Sequence, residues 1–190
     1  MPRSSAKALP CLLLIILFIL GLAACGGDGN TENPKAQALA KDLSSQISTL
    51  SPLLIEPLTK KDPKAAEAVL ADFFLKASQA GKPLENGILV LDAKGVTFTE
   101  RNPAPGHPSG VSNRPTAKDY SSYQMVRQAL QNGRSELGVV YLNQDKLYVV
   151  CYPLGERKPV GVLVLGILGS CLEAKLAISG QQFLAMKISP

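Results

Sequence analysis

The sequence predicts an α+β domain: two N-terminal helices, then an antiparallel sheet of five strands with one helix between its second and third strands. Three observations predict it. Apolar residues recur every three or four positions from Leu39 to Leu54 and again from Ala66 to Ala77, the period of a helix with one buried face. The stretch from Gly87 to Thr99 reads as strand, turn and strand. From Lys118 to Leu168 a helical pattern gives way to three strands in close succession, KDYSSYQMVRQALQNG, SELGVVYLNQDKLYVVCYP and LGERKPVGVLVLGIL.

The chain has 190 residues, 46% of them hydrophobic, which gives room for one ordinary domain and a short extension. Its formal net charge of +5 falls further once Arg3 and Lys7 leave with a leader that carries no acid. The basic residues do not gather into a stripe with interleaved aromatics, so nucleic acid is not an expected partner.

Residues 1 to 24 have a basic start, an apolar run from Cys11 to Leu20 and a small-residue exit, the pattern of a secretory signal peptide. The run is too short to be read as a spanning helix, which needs about 20 apolar residues. Leu22-Ala23-Ala24-Cys25 resembles the bacterial lipobox, and that resemblance implies a lipid on Cys25, which becomes the amino terminus of a chain held in a bilayer. By the same resemblance, Gly26 rather than Asp after the cysteine favours the outer membrane over the inner. Residues 25 to 34 then form a glycine-rich tether with no apolar side chain to bury.

Residues 35 to 80 are a helical segment. Leu39, Leu43, Ile47, Leu50 and Leu54 mark the first helix, which Pro52 and Pro57 are expected to interrupt because proline lacks the donor and clashes with the preceding turn. Asp62 as N-cap and Pro63 at the first helical position open the second, and Gly81 suits the left-handed position past its end. Each apolar face needs a cover, either the domain's own sheet or a partner.

Residues 81 to 170 hold the sheet. Gly87 to Leu91 is apolar on both faces and reads as a central strand, while Val96 to Thr99 alternates as a half-buried strand does. Asn102 to Pro115, rich in proline and glycine, is expected to be irregular. The next helix, capped by Thr116 or Asp119, buries Tyr123, Val126 and Leu130 and stops at Asn132-Gly133. A hairpin turns at Asn143 to Lys146, and Val160 to Leu168 is expected to lie beside Ile88 to Leu91. Residues 171 to 190 form a tail with a short helix and a closing strand or docked end.

This order of elements resembles the Cache family of extracytoplasmic PAS-like sensor domains. The matching stretches are Leu91-Asp92-Ala93-Lys94-Gly95, Lys118-Asp119-Tyr120-Ser121-Ser122-Tyr123, Tyr152-Pro153 and Val160 to Gly166. The resemblance implies a five-stranded antiparallel sheet as the floor of a small-ligand pocket. On matching positions the sequence offers Arg114 and Lys118 as cations for a carboxylate, and Tyr120, Tyr123, Tyr141 and Tyr148 as amphipathic walls. Each tyrosine has core or rim packing as its alternative. The arginine, aromatic pair and tyrosine of the amino-acid-binding subset are replaced here by Lys118, Tyr120-Ser121 and Asn113, which does not support an ordinary amino-acid receptor.

No enzyme signature emerges and no cofactor is expected. His107 is the single histidine, in the proline-rich stretch. Cys151 and Cys171 are expected to stay separate thiols, because a hairpin after Tyr152-Pro153 would set Cys151 opposite about Gly161, far from Cys171. Two functional readings follow. One is a lipid-anchored sensor that binds a small metabolite, a carboxylate among the candidates, and passes its state to an envelope protein. The other is a structural or interaction lipoprotein with a filled pocket and a partner-docking helix at Lys35 to Leu54.

Overall fold

The computed structural model describes residues 33–112, 117–142, 144–155 and 157–189. The expected leader, the lipobox and Cys25 lie outside them. From Asn33 onward the chain is one compact unit.

Helix α1 (Pro34–Lys60) starts on an Asn33 cap and runs without a break through Pro52 and Pro57, contrary to the expected interruption. The reason is packing. Each internal proline costs a helix about 3 kcal/mol, but Leu50, Leu54, Pro57 and Leu58 are all buried on one face, and a buried leucine contributes about 1.5–3 kcal/mol. Helix α2 (Pro63–Gln79) begins as expected, with the Asp62 carboxylate accepting from the Ala65 N–H, and buries Ala66, Leu70 and Phe74.

Six strands follow: β1 (Gly87–Asp92), β2 (Thr97–Ala104), β3 (His107–Val111), β4 (Glu136–Tyr141), β5 (Lys146–Leu154) and β6 (Gly161–Leu168). They form one antiparallel sheet in the order β3-β2-β1-β6-β5-β4. The two strands apolar on both faces, β1 and β6, lie side by side at its centre, with Val90 opposite Leu163.

The sixth strand corrects the expected five. It falls in the proline-rich stretch read as irregular, and prolines are tolerated there because β3 is an edge strand that pairs on one side only. Gly106, at φ +75, makes the turn into it. Arg101 then holds β3 in place: its buried guanidinium donates to the Ser109 and Gly110 carbonyls at 2.8 and 3.1 Å and lies 3.5 Å from Glu67 on α2.

Helix α3 (Gln124–Asn132) is shorter than expected, with Tyr123 rather than Thr116 or Asp119 at its N-cap, and it buries Val126 and Ala129. Two short helices close the chain, α4 (Gly169–Ala174) and α5 (Gly180–Leu184). The tail forms no closing strand; it docks through Ile178, Phe183 and Ile188, all buried.

Alternation along the strands divides the core in two. One face of the sheet, with Ile88, Val90, Val150, Leu163, Leu165 and Ile167, packs against α1, α2 and the tail. The other, with Leu91, Val149, Cys151, Val162 and Val164, is covered by Val126 and Ala129 of α3. The apolar face of α1 is thus taken up by the chain's own sheet. Cys151 and Cys171 are free thiols; β5 runs further than expected, so Cys151 stands opposite Val164 rather than Gly161. Burial pushes the Cys151 thiol up to about 12. No helix among the described residues is long and apolar enough to cross a membrane.

Candidate ligand-binding site

The thinly covered face of the sheet contains a cleft of about 420 Å³. Its floor includes two glycines over which neighbouring side chains lean. Gly87 of β1 and Gly166 of β6 are direct cross-strand partners, so two adjacent floor positions carry no side chain. A Cβ on Gly166 would touch the Leu147 side chain at 3.2 Å, and one on Gly87 would collide with the Asn102 side-chain oxygen. Leu89, Val164, Leu147 and Leu168 line the rest with apolar surface.

Two devices hold the walls. The turn between β1 and β2 is tied by the Asp92 carboxylate, which accepts from the Lys94 and Val96 N–H groups at 2.8 and 2.9 Å. That turn then grips the segment before α3. The Tyr120 N–H donates to the Gly95 carbonyl at 2.8 Å and the Thr97 N–H to the Lys118 carbonyl at 2.9 Å. Tyr120 is thereby held in the lining of the cleft. On the opposite side, Gln46 of α1 and Asn86 exchange two amide hydrogen bonds, 3.2 and 3.0 Å, in a buried pair. This fixes the entry to β1 and with it Glu85 and Gly87, both cleft residues.

The polar groups that reach the cleft are few. Glu85, Glu100, Asn102 and Tyr120 line it. Glu85 is already paired with Lys175 at 2.9 Å and accepts from the Cys171 thiol at 3.7 Å. Burial, followed by the Glu100 charge, raises the Tyr120 hydroxyl above its ordinary pKa.

The structure brings one of the sequence-derived ligand residues into the cleft, Tyr120. Tyr123 stands beside it, with ring centroids 5.8 Å apart, and is exposed. Lys118 is exposed and contributes its carbonyl, which accepts from Thr97, rather than its ammonium. Tyr148 is buried on the opposite face of the sheet, 5.4 Å from the Phe183 ring. Tyr141 shares that strand parity and is 78% exposed. Arg114 and Cys25 lie outside the described residues. Glu100, Asn102 and the glycine pair line the cleft without a motif to mark them; the sequence signal is a glycine at the start of β1 and another inside the apolar β6.

No family model matches the chain, and no curated protein matches it. Solved structures do. One is a domain of a sensory box/GGDEF family protein from Vibrio parahaemolyticus, with TM-score 0.52 and 17% identity over 77% of this chain and 61% of that one. Another is the extracellular domain of a histidine kinase, with TM-score 0.54 and 17% identity over 77% of this chain and 58% of that one. The chain therefore spans only about three fifths of each solved domain. What it shares with them at this identity is the fold, an antiparallel sheet with helices on both faces.

Proposed function

We propose that this chain is an extracytoplasmic sensing module of the Cache type that binds a small molecule in the cleft beneath Tyr120 and passes its bound state to an envelope protein. A lipid on Cys25 would hold it at a membrane, the outer one being favoured by Gly26. The observation that carries the binding part is the cleft itself. Its walls are fixed by backbone and amide hydrogen bonds, and its floor is a matched pair of glycines against which the Leu147 and Asn102 side chains lie, so it is a concavity built into the sheet rather than slack packing. Support for sensing comes from the fold's likeness to domains described as a sensory box protein and as the extracellular part of a histidine kinase. The competing reading, in which a filled pocket leaves α1 to dock a partner, is disfavoured because Leu43, Ile47, Leu50 and Leu54 are already buried on the sheet.

The test is a thermal-shift screen of metabolites against the wild type and Gly166→Leu, whose side chain would push Leu147 into the cleft. A ligand at a hundredfold excess over its dissociation constant adds about 2.7 kcal/mol, so true ligands raise the melting temperature of the wild type by several degrees and leave Gly166→Leu unmoved. Hits that shift both proteins equally would remove the cleft from the account. Anchoring is checked separately: labelled palmitate enters the wild-type chain in a bacterial host and fails to enter Cys25→Ala.

A further inference from the structure

We propose that the cleft selects a small organic cation, an ammonium carried on an apolar or aromatic body, rather than a carboxylate. This rests on the reading of the cleft as a ligand site and adds the chemistry of what enters it. Both charged side chains that line it are acids, Glu85 and Glu100, and among its described lining residues there is no Lys, Arg or His. The two acids are not equivalent. Glu85 is met by Lys175, whereas Glu100 is half-buried and belongs to none of the ion pairs among the described residues. Lys118, the cation expected to receive a carboxylate, is exposed and does not line the cleft.

An anionic ligand would therefore meet a carboxylate that no cation among the described residues pairs with, across an apolar floor where like charges repel more strongly than in water. An ammonium meets the reverse. It donates a charge-assisted hydrogen bond to Glu100, and Tyr120, which also lines the cleft, is a ring that takes a cation on its face or stacks on an aromatic body. The side-chain carbonyl of Asn102 is a further acceptor on the same wall. Leu147, Val164 and Leu168 then remove the body of the ligand from water.

Three probes with one body and three head groups test this: tryptamine, tryptophol and indole-3-acetate. The chain has no tryptophan, so the anisotropy of indole fluorescence reports probe binding to the full-length protein without background. Tryptamine is expected to bind roughly tenfold more tightly than tryptophol, the size of one charge-assisted hydrogen bond, with indole-3-acetate weakest. Glu100→Gln should erase that advantage and leave tryptophol unchanged. Asn102→Asp, which adds a carboxylate without changing shape, should tighten tryptamine and weaken indole-3-acetate, so the proposal does not hang on one variant. If tryptophol binds in a way that Gly166→Leu abolishes, but tryptamine has no advantage or indole-3-acetate binds best, the cation is wrong and the cleft stands. If none of the three binds the wild type, the cation on an aromatic body is wrong, and the cleft is decided by the metabolite screen against Gly166→Leu.

Discussion

The two faces of the sheet are built from alternate residues of the same strands, yet they do different work. On the side of α1 and α2, strand β6 presents Leu163, Leu165 and Ile167, each at most 2% exposed. On the other side, it presents Val162, Val164, Gly166 and Leu168, and burial fades along that series until Leu168 is 45% exposed. Glycines on this second face make room for neighbouring side chains: Asn102 lies against Gly87, Leu147 against Gly166, and Met125 of α3 directly on Gly138 of β4. The difference teaches how one short sheet divides its labour. Two helices and a docked tail make one face a close-packed core, and that core holds the strands rigid enough for the other face to be left incomplete.

The largest expected effect sets the faces against each other at two positions of one strand. Leu165→Ala removes a fully buried side chain from the packed face and should cost about 2–5 kcal/mol in urea unfolding. Leu168→Ala, three residues further on at the rim of the cleft, should cost under about 1 kcal/mol, because much of that side chain is in water already. Equal losses at the two positions would mean that the open face carries as much of the stability as the packed one, and the division would fail.

The packed face was largely legible in the sequence. Helical periodicity picked out Leu43, Ile47, Leu50 and Leu54, the Asp62-Pro63 pair marked the start of α2, and the two runs apolar on both faces fell at the sheet centre as β1 and β6. What was misread has a common physical cause: tertiary contacts overrode local rules. Pro52 and Pro57 stay within α1 because its apolar face is buried on both sides of them, and the prolines around β3 sit on an edge where missing donors are tolerated. The open face was harder to read because a cleft is written in absences. Tyr141 and Tyr148 have the chemistry of ligand walls, but strand parity puts both on the helix side, Tyr148 in step with Val150. Lys118 has the charge for a carboxylate and uses its backbone instead. The residues that shape the cleft are two glycines, and period-2 reasoning would have put Gly87, Leu89 and Leu91 on one face and Gly166 across from the first of them only after the β1–β6 register was known.

The smaller effect sharpens the comparison by disturbing the open face alone. Gly95 has φ +80, and a Cβ there would stand 3.0 Å from the backbone of Ser121, next to Tyr120. Gly81, at the end of α2, has φ +72 and nothing within 4 Å of its absent Cβ. Alanine at either position takes on the same left-handed backbone penalty, about 1–2 kcal/mol, and in urea unfolding Gly81→Ala should lose that much and Gly95→Ala more, because its Cβ also presses on Ser121. Only Gly95→Ala pushes on the segment that places Tyr120. It should therefore weaken tryptamine binding several-fold, while Gly81→Ala, with the same backbone penalty, binds as the wild type does. If the two variants bind alike, the grip of the β1–β2 turn on Tyr120 is a structural tie with no part in the site; if they differ, the open face depends on a contact that adds little to the stability of the fold.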